Sequence, residues 1–168
     1  MGQVIHRSNT RGHHNYGWLD TRHTFSFAQY FDPQRTGFGA LRVLNDDVVK
    51  PNMGFGEHPH DNMEIISIPI KGTLKHKDSA GHEQIIKEHE VQVMSAGTGV
   101  FHSEYNASKD EDVNFLQIWI YPDKKNVSPS YNQKYFEAED AQDKWQLLVG
   151  PNGEDGLHIN QNATISRA

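Results

Sequence analysis

Gly54-Phe55-Gly56-Glu57-His58-Pro59-His60-Asp61-Asn62-Met63-Glu64 is the stretch on which the reading of this chain turns. It sets two imidazoles two residues apart, just ahead of an apolar run, Met63 to Ile70, that reads as a strand. Side chains at i and i+2 of a strand leave by the same face, with Cα atoms roughly 6–7 Å apart, so the pair can converge on one metal ion. Glu64 has the same parity, and an unbroken strand aims it inward too. Downstream, Phe101-His102-Ser103-Glu104-Tyr105 repeats the device with one imidazole and one carboxylate. Two to three histidines and one or two carboxylates suit a divalent transition metal that keeps open positions. In a chain with 11 histidines a lone His-x-His is more often surface than ligand. The second pair, on a strand of its own, favours the metal. Glycines flank both pairs and permit the close backbone approach that a barrel corner requires.

The 168 residues make one domain, or one domain with an appendage, enough to bury a sizeable core. The chain is polar, with 35% apolar residues, yet three Trp, eight Phe and six Tyr can anchor that core. Its net charge is −6 and no Lys/Arg cluster exceeds two adjacent residues, which argues against direct nucleic-acid binding. There is no cysteine, so disulfides, thiolate metal sites and cysteine nucleophiles are excluded, and any metal site is built from His and carboxylate. The N-terminal residues, Met1 to Arg7, carry no apolar leader and no myristoylation pattern, and no run reaches the length of a membrane span. The expectation is a cytoplasmic protein with no membrane partner.

Many short strands with frequent turn signals indicate an all-β barrel or sandwich. Residues 8–23 read as an irregular wrap, with His13 and His14 on the surface. Strands are expected at Thr24–Phe27, at Ala40–Val49 broken by a polar turn, and at Met63–Ile70 with a bulge or edge at Pro69. Further strands are expected at Thr73–Asp78, Glu83–Lys87, Val91–Met94 and around His102. Asp112–Tyr121 is the strongest, with Val113, Phe115, Trp119 and Tyr121 on one face. His76, His82 and His89 read as surface residues of turns and hairpins. Beyond Pro122 a polar segment is followed by strand candidates at Tyr131–Phe136, Lys144–Val149, Gly156–Ile159 and Ala163–Ser166, with one helical turn within Glu137–Asp143.

His58-x-His60-x-x-x-Glu64 and His102-x-x-x-Asn106 resemble the two metal-binding motifs of the cupin superfamily. More specifically, the chain is similar to the pirin family and its bacterial quercetinase-like members. Gly17-Trp18-Leu19, His23-Thr24-Phe25-Ser26-Phe27-Ala28, Gly37-Phe38-Gly39, Leu41-Arg42-Val43-Leu44-Asn45-Asp46-Asp47, Gly54-Phe55-Gly56, Met63-Glu64-Ile65 and His102-Ser103-Glu104 carry the likeness in order. No glycine sits six residues before His58 and no proline precedes Gly99, departures that are normal for pirins.

The resemblance implies an all-β cupin barrel (a double-stranded β-helix, or jelly roll) over residues 1–122, a linker over 123–143, and over 144–168 the opening strands of an incomplete second cupin. It implies one divalent metal, Fe2+ in the first place, held by His58, His60, His102 and Glu104, with Glu64 near the metal rather than bound. Zn, Ni, Mn and Cu accept the same donors. The implied activity is that of a quercetin 2,3-dioxygenase acting on a flavonol or similar small aromatic enol, with Glu104, or alternatively Glu64, as the base. The alternative is a non-catalytic iron-binding pirin that serves as a transcription cofactor or modulates a metabolic enzyme. Strands lacking their partner sheet leave open edges, from which a homodimer through the C-terminal segment, or a disordered tail, is expected.

Overall fold

A computed structural model describes residues 5–168, so the reading of the first four residues lies outside it. Strands alone build the frame. In chain order they are β1 (Gly12–Asn15), β2 (Leu19–His23), β3 (Leu41–Val49), β4 (Gly54–His60), β5 (Glu64–Lys71), β6 (Thr73–Asp78) and β7 (Glu83–Lys87). There follow β8 (Glu90–Ser95), β9 (Val100–Asn106), β10 (Val113–Ile120), β11 (Ser130–Tyr135), β12 (Gln146–Gly150), β13 (Leu157–His158) and β14 (Ile165–Arg167). Two 3-10 turns, Ser8–Thr10 and Ala138–Ala141, complete the set. No helix among the described residues is long and apolar enough to cross a membrane.

A seven-stranded sheet in the order β1-β2-β3-β10-β5-β8-β11 faces a four-stranded sheet in the order β4-β9-β6-β7. Leu19, Val49, Val113 and Phe115 from the first meet Leu74 and Ile86 from the second in one buried cluster. The alternation of β10 explains how. Val113, Phe115, Gln117 and Trp119 share the face turned to the opposite sheet, while Leu116, Ile118 and Ile120 take the reverse face. That reverse face is covered. Ile66, Val91, Val93, Ile118 and Ile120 pack with Phe136, Leu148, Val149, Leu157 and Ile159, so the small sheet β13-β12-β14 closes a second core behind the barrel.

Several expectations meet their match: β5 to β10 and β12 to β14 lie where the pattern put them, and β5 shifts register against β10 at Pro69. Others do not. Residues 12–23 form a hairpin, β1–β2, turned at Gly17 in the left-handed conformation, because β2 finds a ladder partner in β3. Thr24–Phe27 lies in no strand; the Ser26 hydroxyl instead accepts from the Asp32 amide and donates to its carbonyl, holding a loop. β3 runs unbroken through Asn45-Asp46-Asp47, since Asn45 and Asp47 point into the barrel and Asp46 is engaged by Arg11 and Asn114. Within the expected linker, β11 pairs along its length with β8 and extends the first sheet.

Candidate metal centre

β4 and β9 are neighbours in the four-stranded sheet, and their register decides the site. His58 stands opposite His102 and Phe55 opposite Glu104. Three residues of β4 span the same distance as two of β9, so a bulge at Gly56-Glu57 returns both Phe55 and His58 to the inner face. Gly54 allows the two strands to come this close: a Cβ there would lie 2.3 Å from the Glu104 carbonyl oxygen. β9 itself alternates cleanly, with Val100, His102, Glu104 and Asn106 buried.

The three imidazoles converge. The ring centroids of His58 and His102 are 4.5 Å apart, those of His60 and His102 4.9 Å, and those of His58 and His60 4.9 Å. One donor nitrogen from each lies within 4.8 Å of the others. His58 Nδ1 is 2.8 Å from the Gly56 carbonyl, to which it can only donate, and this leaves Nε2 as the free donor. His60 Nε2 and both nitrogens of His102 are buried without a hydrogen-bond partner. Buried imidazole nitrogens left unpaired cost about 1–3 kcal/mol each unless something fills the space between them. A divalent ion fits that requirement. Burial lowers the pKa of His60 to about 4 and of His102 to about 3, assisted by the neighbouring imidazoles, so both are neutral at ordinary pH, the form in which an imidazole can bind a metal.

Glu104 is buried with the histidines and held from behind. The Ser67 hydroxyl donates to Oε1 at 2.7 Å and Gln117 Nε2 donates to Oε2. Each carboxylate oxygen keeps a second lone pair. Glu104 does not stand within the tight group of His58, His60 and His102; it groups with His102 and His76. A cavity of about 210 Å³ opens beside it, lined by Phe27, Asn45, Asp47, Phe55, His58, Glu104, Gln117 and Trp119. Its walls are apolar and aromatic, with polar groups at the metal end and at Asn45 and Asp47. Burial, together with the nearby charges of Glu104 and Asp46, raises the Asp47 pKa to about 7, against the opposing influence of the nearby Thr21 hydroxyl.

Glu64 is not brought to this centre. β4 ends at His60, the chain turns through Asn62 in the left-handed conformation, and β5 starts at Glu64 in the other sheet. The strand is broken, so the parity argument fails. Glu64 takes the reverse face with Ile66, where it accepts from the Ser95 hydroxyl at 2.7 Å and from the backbone and side-chain nitrogens of Asn160 at 3.2 Å.

His76 corrects a second reading. It is fully buried on β6, opposite Glu104. The signal was present: Leu74, His76 and Asp78 alternate with Lys75 and Lys77, which fixes His76 on the apolar face. Gln117, which breaks the apolar stripe of β10 between Phe115 and Trp119, is likewise a polar residue that a dry core has no use for. By contrast His89 sits exposed in a left-handed turn and His13 pairs with Asp20 on the surface, as expected.

The family model described as Pirin matches residues 4–120. A quercetin 2,3-dioxygenase of Escherichia coli K12 is 46% identical over 97% of this chain and 70% of its own length. The crystal structure of the bacterial pirin YhhW of Escherichia coli in complex with nickel(II) superposes with a TM-score of 0.89 at 45% identity, covering 95% of this chain and 68% of that one. At the level of fold alone, the cupin domain of Schizosaccharomyces pombe Cnp3 matches with a TM-score of 0.50 at 13% identity, over 70% of this chain and 74% of that one.

Proposed function

The chain belongs to the pirin family, and from that premise we propose that it is a metal-dependent dioxygenase of the quercetin 2,3-dioxygenase type, acting on a flavonol or a similar planar enol. The observation that carries this reading is the convergence of three imidazoles, His102 buried and His58 and His60 half-buried, at the edge of an aromatic-walled cavity. His58, His60, His102 and Glu104 hold one divalent ion, for which Fe2+ is proposed. A relative is seen with nickel(II), and Zn, Mn and Cu suit the same donors. When bound, the ion acts as a Lewis acid toward an enolate oxygen and supplies the redox chemistry that dioxygen needs.

The side chains do the rest. Phe27, Phe55 and Trp119 clamp a flat aromatic ring and exclude water from it. Glu104, fixed by Ser67 and Gln117, takes the hydroxyl proton of the enol at whichever oxygen is nearer. Glu64 drops out as a base because its carboxylate is engaged on the far side of the sheet. β13 and β14 leave the outer edges of the small sheet unpaired, and a homodimer formed there would elute at twice the chain mass in size-exclusion chromatography.

The test is direct. Protein loaded in turn with iron, copper, nickel and manganese is mixed aerobically with a flavonol, and the flavonol absorbance is followed. Metal-dependent decay that His58→Ala and Glu104→Gln suppress is the expected result. No decay with any ion would remove the enzyme reading and leave the non-catalytic, iron-binding alternative.

A further inference from the structure

Behind the metal centre stands a second array, fully buried at His76 and Asp78, that the proposed reaction does not use. Asp78 is its hub. The backbone amides of Ala80 and His82 each donate to Oδ1 at 3.0 Å. On Oδ2 the carboxylate meets Nε2 of His76 at 3.0 Å and Nδ1 of His82 at 2.9 Å. Tyr131 lies over both rings, at 4.8 Å from His76 and 5.2 Å from His82. Four donors converging on one side chain require a carboxylate that only accepts. His76 therefore carries its proton on Nε2, and its Nδ1 is a bare lone pair.

That lone pair has no partner and is buried. The register places His76 opposite Glu104 and Asp78 opposite His102, and the rings of His76 and His102 are 5.4 Å apart. Donor atoms of His76, His102 and Glu104 lie within 4.8 Å of one another. His102 has two unpartnered buried nitrogens. One suffices for an ion; the other must carry a proton and needs an acceptor.

We propose that His76 is a positioning residue for the metal centre: held by Asp78, it accepts the N–H of His102 that faces away from the ion and so fixes the tautomer and orientation of that ligand. The inference rests on the metal reading above. A small rotation of the two rings, or one bridging water, brings the nitrogens into hydrogen-bond contact. The resulting chain, Asp78 to His76 to His102 to the ion, raises the basicity of His102 as a carboxylate raises that of a zinc-bound histidine. It also satisfies two of the unpaired nitrogens at once.

Cobalt(II) titrated into chelator-treated protein tests this, with affinity read by competition and geometry by the visible absorption of the bound ion. His76→Phe keeps the packing against Tyr131 but removes the acceptor; cobalt should bind about 10–100-fold more weakly with an altered spectrum. His76→Gln retains a carbonyl for His102 and an amide for Asp78, and should restore affinity to within a few-fold. Asp78→Asn gives a near-isosteric check should the Phe variant not fold. Its Oδ1 still accepts from Ala80 and His82, while its amide now donates to His76 Nε2 and forces the proton onto Nδ1, opposing His102. Weakened binding is expected there too. Wild-type affinity and spectrum in both His76→Phe and Asp78→Asn would overturn the positioning role while leaving the metal centre intact, as would His76→Gln binding as weakly as His76→Phe. Full-affinity binding by a His58→Ala/His60→Ala variant would overturn it as well, by showing His76 to be a ligand. A wild-type chain that binds no cobalt would remove both the metal reading and this one.

Discussion

Glu64 and Glu104 are both buried glutamates on strands, each hydrogen-bonded by a serine, yet they do opposite things. Glu104 projects into the barrel, next to His102 and across from Phe55, with Ser67 and Gln117 behind it. Glu64 projects out of the other sheet, where Ser95 and Asn160 tie it to the segment that carries β13 and β14. Burial and hydrogen bonding therefore do not single out the carboxylate proposed as a ligand. What marks it is the face of the sheet on which it stands. The inner face carries the candidate metal centre, and the reverse face carries the second hydrophobic core.

The sharpest way to break that division is to remove the shared ligand. His102 belongs to both groups of potential ligands, and its ring contacts those of His58, His60 and His76. His102→Ala should abolish stoichiometric divalent-metal binding, as measured by elemental analysis after dialysis. Tight binding in that variant would mean that the ion sits elsewhere. On the reverse face the converse holds. Ile118→Ala and Ile66→Ala, in the core shared with Leu148 and Val149, should each cost about 2–5 kcal/mol in denaturant unfolding. Their metal content should match that of the wild type. Loss of metal from the folded Ile118→Ala protein would show that the two faces are coupled.

The two glutamates give a finer comparison. In Glu104→Gln the neighbouring Gln117 amide can flip to accept, so unfolding should barely change while metal affinity falls. In Glu64→Gln a charged acceptor of three hydrogen bonds becomes a neutral amide, and stability should drop by about 1–3 kcal/mol with metal affinity unchanged. A reversal of these outcomes would return Glu64 to the centre.

Much of this arrangement was legible beforehand. The two dipeptide-spaced pairs pointed to His58, His60 and His102, because strand alternation is local and the bulge at Gly56-Glu57 lies just before the first pair; they left Glu64 and Glu104 open, and only the family resemblance favoured Glu104. The alternation in Asp112–Tyr121 gave β10 and its two faces. The failures share one cause: they required knowing where a strand stops or what it faces. Asp61-Asn62-Met63 ends one sheet and begins another, and this reverses the face of Glu64. Asn45 and Asp47 read as a turn because polar residues rarely line a core, and they are explained only by the cavity beside them. His76 and Gln117 were polar residues on apolar stripes, a signal that periodicity alone could have supplied.

The last expected effect concerns acid. Burial lowers the pKa of His23 and of His60 to about 4 and of His102 to about 3. Between about pH 4 and 6.5 the unfolded chain binds protons at these three positions and the native chain does not, so stability rises with pH across that window. Asp47 opposes them. With its pKa raised to about 7, chiefly by burial, it keeps a proton in the native state that the unfolded chain releases near pH 4, and stability from this group falls as pH rises toward 7. Three imidazoles outweigh one carboxyl, so chelator-treated protein should become more resistant to urea from pH 4.5 to 6.5. Asp47→Asn should steepen that rise by at most about 1.4 kcal/mol per pH unit, the value of one proton. Ile118→Ala, on the reverse face, should lower the whole curve without changing its slope. An Asp47→Asn curve parallel to the wild type would mean that this carboxyl titrates normally and that the cavity beside the metal centre is wetter than its apolar walls imply.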